Sequence, residues 1–305
     1  MSVLHHQTLR PLLAKRLLAV ADSACETLWP QWYRWFRDAR TRLRTSREVG
    51  GALDMPNLLA ITALTSLLWH QAVETPARRE GVAVGAQILA DGARVSLPRL
   101  SAVFGHPAGF VTGTAEVEQW LTQYMGTQVR DITATTLRAV QQVVRMGTET
   151  GASLVVRAQM LRDSFGLTPR QAQTLTVVEG RMALQGKHVR QMAQQRSQTS
   201  TQALRARAQQ IALTQAVTIV NAGLYFAIRQ AAQGGPISAS AVRRYWTPVA
   251  GACATCAAIP ALNPEGVGVD EPFQTAVGPV LFPSVHPGCR CSADADTILA
   301  PARRA

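Results

Sequence analysis

Four of the five cysteines fall within 39 residues, as Cys253-Ala-Thr-Cys256 and, after a loop, His286-Pro-Gly-Cys289-Arg-Cys291. No other feature restricts the fold as much. A Cys-x-x-Cys turn brings two thiolates to one tetrahedral metal, and its backbone amides offset the sulfur charge. His-x-x-Cys does the same from the other side, and sulfur–nitrogen donor sets of this kind select zinc. The loop between Cys256 and His286 is longer than in a compact zinc finger. Five donors compete for four positions. If Cys289–Cys291 is extended, both sulfurs point to one side and Arg290 to the other, so either cysteine can complete the set.

The expectation is a structural zinc site drawn from Cys253, Cys256, His286, Cys289 and Cys291. Disulfides and inert cysteines are the alternatives. The first residues, with His5, His6 and Arg10, lack the apolar stretch of a signal peptide, so a cytoplasmic start is expected, where thiols stay reduced. Clustering with a histidine argues against inert thiols. A four-ligand site is closed to water, which disfavours catalytic zinc. The nucleobase-deaminase pattern needs His-x-Glu, and no histidine here has Glu two residues on. His5, His6, His70, His106 and His188 are scattered, and Cys25 stands alone. No enzyme is expected.

The donors lie in a segment unlike the rest. After Pro236 helical periodicity stops and prolines and glycines cluster. Roughly 70 residues bury too little apolar surface to be comfortably stable, and a structural zinc can supply around 10 kcal/mol or more. Trp246, Phe273 and Phe282 are its expected core. This segment is neutral, with five arginines against five acids, so the whole net charge of +12 lies in residues 1–235. Nearly all the bases are Arg, which binds phosphate in a planar fork. A basic body suits DNA or an acidic partner; a GC-rich codon bias gives the same composition. No run of 18 apolar residues occurs, so no membrane span is expected.

Before Pro236 the pattern is helical. In residues 29–47, Trp32, Trp35, Phe36, Ala39 and Leu43 share one face, while Arg34, Arg37, Arg40, Arg44 and Arg47 line the other. Two readings stand: an amphipathic helix on the protein's own core with a solvated basic face, or an arm offering guanidinium groups to phosphate or acidic protein. The first is the plainer. Residues 51–130, punctuated by Pro56, Pro76, Gly92 and Pro98, read as short helices, with a strand over Ala93–Leu97 as an option. Gly166 reads as a helix stop and Thr168-Pro169 as a fresh start. Residues 184–202 are Gln-rich, an exposed helix or connector, and a long helix follows from Gln202 to Ala232. Gln215 falls inside its apolar stripe and reads as a structural amide.

The predicted fold is therefore mainly α: an elongated helical body with a small C-terminal α+β zinc-stabilised module. Four segments are expected: a basic-aromatic arm (1–50), a small-residue-rich helical region (51–130), a helical core (131–235) and the Cys/His module with its tail (236–305).

An ordered series of motifs then resembles the phage Mu F-like head-morphogenesis proteins, relatives of the SPP1-type minor head protein. It runs from Ile132-Thr-Ala-Thr-Thr136 and Gly151-Ala-Ser153, through Leu167-Thr-Pro-Arg170 and Arg207-Ala-Gln-Gln-Ile-Ala-Leu-Thr-Gln215, to Asn221-Ala-Gly223. It ends at Tyr245-Trp246, the Cys-x-x-Cys pair and the run from Asp270 to Cys291, whose HPGCRC ending is its most specific part. The likeness covers about residues 130–293 and leaves the N-terminal third unidentified. It departs at Leu213-Thr214-Gln215, where the family has Arg-Thr-Glu, at Val249-Ala250-Gly251-Ala252, which replaces the family's Asp before the first Cys, and at Ile259-Pro260-Ala261, which replaces Leu-Asp-Gly.

The resemblance implies a virion component present in few copies, made in the host cytoplasm and ending in the capsid interior near the portal. Its partners would be portal and capsid or scaffold proteins and the packaged DNA, with no small-molecule substrate. The competing class is a DNA-binding protein that reads through its zinc module. The neutrality of that segment speaks against it.

Overall fold

The computed structural model describes residues 3–46, 58–186, 188–234 and 237–297. The protein is mainly helical, with a small two-stranded sheet near the C-terminus. The helices are α1 (Val3–Thr45), α2 (Leu58–Trp69), α3 (Thr75–Phe104), α4 (Ala115–Glu149), α5 (Leu154–Ser164), α6 (Pro169–Leu184), α7 (Val189–Gly234) and α8 (Ala254–Leu262). Strands β1 (Val242–Thr247) and β2 (Ser292–Thr297) pair antiparallel, from Val242 opposite Thr297 to Thr247 opposite Ser292.

Several boundaries follow local chemistry. Gly166 takes φ +84°, a left-handed conformation open to glycine, and ends the turn after α5. Thr168 then starts α6 with a reciprocal cap: its hydroxyl accepts from the Gln171 amide at 3.2 Å, and Gln171 Oε1 accepts from the Thr168 amide at 3.0 Å.

The region expected to hold short helices is instead nearly continuous from Leu58 to Phe104. A π-helical turn over His70–Glu74 joins α2 to α3, and the Thr75 amide donates to the His70 carbonyl. Pro76 has no amide proton, and its ring would crowd the carbonyl four residues back. Widening the preceding turn lets the helix pass the proline. The optional strand over Ala93–Leu97 is not there: these residues lie inside α3, as do Gly92 and Pro98. The Gln-rich stretch after His188 is likewise helical and opens α7.

The chain packs as two compact units: Met1–Leu28, Ala83–Leu121 and Gln210–Ala305 form one, and Trp29–Val82 and Thr122–Gln209 the other. The second unit has an aromatic centre. Trp32, Trp35, Phe36, Ala39 and Leu43 of α1 are all buried, so the apolar face of that helix is core. Phe36 stacks on Trp69 at 5.4 Å, and Phe165 meets Trp69 edge-on at 5.5 Å. Arg207 is buried over Phe36 and donates to Thr136 Oγ1 and to the carbonyls of Gly166 and Ile132.

In the first unit α3 and α7 touch backbone to backbone. A Cβ on Gly92 would lie 2.5 Å from the Val220 carbonyl oxygen, and one on Gly223 would lie 2.2 Å from that of Leu89. The compositional break expected at Pro236 falls inside the first unit, where residues 237–297 cluster with the C-terminal part of α7 from Gln210 onward. Phe282 is half-buried against Trp120 and Tyr225, while Trp246 and Phe273 meet edge-on at 5.4 Å. Strand β2 reads Ser-Ala-Asp-Ala-Asp-Thr and is almost wholly buried. Its acids are balanced by Arg99 of α3, 3.4 Å from Asp294 and 3.3 Å from Asp296. Helix α7 is long and apolar enough to cross a membrane by length and composition, but 78% of its most apolar window is buried inside the protein.

Candidate metal centre

Two loops deliver the donors. Val249–Ala252 turns back on itself, the Ala252 amide donating to the Val249 carbonyl at 3.0 Å, with Gly251 at φ +75°. This sets Cys253 at the N-cap of α8 and Cys256 on its first turn. In the second loop the Cys289 amide donates to the His286 carbonyl at 3.1 Å, and Gly288 takes φ +76°. That turn brings His286 and Cys289 to one side.

The donors converge. His286 Nε2 lies 3.2 Å from Cys253 Sγ and 3.1 Å from Cys256 Sγ, and Cys256 Sγ lies 3.7 Å from Cys289 Sγ. They form two overlapping sets, Cys253–Cys256–His286 and Cys256–Cys289–Cys291, with Cys256 common to both. None of these four cysteines is in a disulfide. A tetrahedral ion with metal–sulfur bonds of about 2.3 Å separates its sulfurs by about 3.8 Å, which the Cys256–Cys289 pair matches. The histidine is pre-set as well. Its Nδ1 lies 3.0 Å from the Pro287 carbonyl oxygen, to which it can only donate, and this leaves the Nε2 lone pair facing the sulfurs. These residues can hold a metal ion.

Cys256, Cys289 and Cys291 are buried and Cys253 is exposed. Arg290 points the other way and grips the Asp22 carboxylate at 2.7 and 2.8 Å, as the alternation expected for an extended segment requires. The thiols are electrostatically unequal. Cys289 is held below the usual thiol range, chiefly by a hydrogen bond from the Cys291 side chain. Cys291 is correspondingly pushed up by Cys289 and by burial. Burial, then the charge of Cys289, raises Cys256, while the Cys256 backbone amide holds Cys253 down. The hydrogen bond to Pro287 raises His286. A cation among these groups would displace their protons and favour the thiolate form of every cysteine that ligates it.

Sequence reasoning missed the residues that hold the second loop in place. One face of α7 presents Thr214, Thr218 and Asn221. Thr214 Oγ1 accepts from the Gly288 amide at 3.0 Å, and Thr218 shares a 3.0 Å hydrogen bond with Ser284. Asn221 binds the backbone on both sides of Ser292. Their spacing of four and three residues inside an apolar helix was the available signal. Arg244, expected only as one charge in a neutral segment, is 1% exposed. It sits between the rings of Tyr225 and Phe273 and donates to the carbonyls of Gly268, Leu281 and Glu271.

The arginines of residues 29–47 do not form one free basic face. Arg34 pairs with Glu80 at 3.0 Å, and Arg37 lies over the Tyr33 ring. Arg40 turns inward and donates to the carbonyls of Phe165 at 2.7 Å and Asp163 at 2.9 Å; burial lowers its pKa to about 10. Arg44 is exposed, and Arg47 lies outside the described residues.

Fold and site together define a mainly helical protein with a Cys/His cluster able to hold a metal ion. Comparison with family models, curated proteins and solved structures returns no match.

Proposed function

We propose that this chain is an assembly protein of the phage Mu F-like head-morphogenesis type, without catalytic activity, whose Cys/His cluster holds one structural zinc ion. One observation carries the reading. The most specific stretch of the resemblance, ending His286-Pro-Gly-Cys289-Arg-Cys291, folds so that its donors meet Cys253 and Cys256 at contacts of 3.1–3.7 Å. Mixed thiolate and imidazole donors in a tetrahedral array suit zinc. Cys253, Cys256, His286 and Cys289 would hold it, with Cys291 the other candidate for the fourth place. Bound there, the ion supplies a cross-link between the first turn of α8 and the His-Pro-Gly-Cys turn. Thr214, Thr218 and Asn221 orient the loop that brings the second pair of donors.

In this reading the protein joins the procapsid from the host cytoplasm, contacts portal and capsid or scaffold proteins, and stays inside the head with the packaged DNA. A zinc-module DNA reader is disfavoured because the unit that carries the cluster has 11 basic against 10 acidic residues and Arg290 is engaged by Asp22. Elemental analysis of protein purified without added metal should give about one zinc per chain; none would overturn the metal assignment. Co-expression with the portal, scaffold and capsid genes that neighbour its own should incorporate the chain into procapsids. Exclusion from those particles, or the lack of such neighbours, would overturn the head-assembly assignment.

A further inference from the structure

The charge is divided unequally between the two units. The unit formed by Trp29–Val82 and Thr122–Gln209 contains 20 basic and 9 acidic residues, a net +11, against +1 for the other. Some of these arginines serve the interior: Arg40 and Arg207 bind backbone carbonyls, and Arg196 lies 3.2 Å from Asp163. On α1, Arg34 is held by Glu80.

The outer face of α4 is different. Arg130, Arg138 and Arg145 are exposed and fall within an arc of about 80° at about 100° per residue. At about 1.5 Å per residue the stripe is about 22 Å long. Thr127, Ala134 and Gln141 are exposed on the same arc, and Asp131 and Glu149 flank one edge. At the start of the stripe Arg78 of α3 reaches the same spot. A Cβ on Gly126 would lie 3.3 Å from Arg78 Nη1 and 3.6 Å from Arg130 Nη1, so two guanidinium groups close over this buried glycine. Among the described residues no ion pair joins Arg78, Arg130, Arg138 or Arg145 to a carboxylate. Like charges held side by side repel unless an anion lies between them.

We propose that this face of α4, with Arg78, binds the phosphate backbone of duplex DNA without reading its sequence. Guanidinium forks match phosphate oxygens. A protein partner would need an apolar centre to the contact, yet among the described residues the exposed large apolar side chains of this unit, Leu67, Val155, Val156, Val177 and Leu184, lie on other helices. The proposal does not use the metal centre; it deepens the head-assembly reading, which already sets packaged DNA beside this chain, and a failed duplex test leaves procapsid incorporation to be judged on its own.

The test is fluorescence anisotropy of the full chain on a labelled random duplex across a salt series. Four phosphate contacts give a log–log salt slope of about −3.6, and the triple variant Arg130→Gln/Arg138→Gln/Arg145→Gln should lose about 2.7 of it and bind at least about tenfold more weakly at low salt. The corresponding triple Lys variant should keep the slope, because Lys displaces the same counterions. Arg138→Glu alone should weaken binding, which guards against a triple variant that fails to fold. Arg94→Gln, on the other unit, should change nothing. An unchanged slope in a folded triple variant, or no duplex binding by the native chain, overturns the proposal. So does displacement of the duplex by polyglutamate at equal charge concentration, which would assign the face to acidic protein.

Discussion

Asn221 grips the chain on either side of Ser292: its Nδ2 donates to the Cys291 carbonyl at 3.2 Å, and its Oδ1 accepts from the Ala293 amide at 3.1 Å. The same Nδ2 also donates to the Val217 carbonyl at 2.8 Å, so one buried amide ties the metal-centre loop to α7 and starts β2 in register.

Asn221→Ala should therefore leave two buried backbone groups without partners and cost about 2 kcal/mol. Thermal denaturation measures that loss, and faster release of bound metal to a chromophoric chelator should accompany it. A native melting temperature and native release rate would show that the clamp is idle.

The donors should not be equivalent. Cys256 belongs to both overlapping sets and is buried, whereas Cys253 is exposed. Cys256→Ser should abolish metal retention and destabilise the first unit, while Cys253→Ser should weaken retention and leave a partial site. Cobalt substitution reads this directly, since thiolate-to-cobalt absorbance scales with the number of sulfur ligands. Chelation of the native protein should lower its melting temperature. Equal loss in both variants would contradict the asymmetry.

The close approach of α3 and α7 sets a third expectation. Gly92→Ala and Gly223→Ala each drive a methyl group into opposing backbone and should destabilise by about 1–3 kcal/mol or more. Gly109→Ala, where a Cβ meets nothing within 4 Å, is the control and should be neutral. Chemical denaturation of the three variants decides it.

Tyr225 supplies a pH signature. Its phenol is pushed up to about 12, first by burial and then by Asp270, whose carboxylate it meets at 3.1 Å. The folded state thus keeps a proton that the unfolded state gives up near pH 10. Stability from this group is intact below pH 10 and is lost as pH rises toward 12. Spectrophotometric titration should show one late-ionising tyrosine that disappears in Tyr225→Phe, and that variant should lose less stability between these pH values.

Much of the site was legible because its information is local. Cys-x-x-Cys at a helix start and His-x-x-Cys around a glycine turn present their donors through backbone geometry that spans only four residues each. The alternation that turns Arg290 away from Cys289 and Cys291 is equally local. The clamp was not legible: Thr214, Thr218 and Asn221 look like polar interruptions of a helix until the loop some 70 residues later is laid against them.

By itself the sequence determined the helical class, the Thr168-Pro169 helix start, the aromatic face of α1 and which Cys and His residues form the cluster able to hold a metal ion, since periodicity, capping and ligand chemistry act over a few residues. Only the tertiary structure decided that Pro76 and Pro98 would sit in a nearly unbroken helical run, that Arg40 would turn inward, and that the Cys/His segment would pack with α7. The physical reason is one of scale. A proline or a buried arginine costs a few kcal/mol locally, and burial against partners remote in sequence supplies more than that, so the outcome depends on contacts that no local window contains.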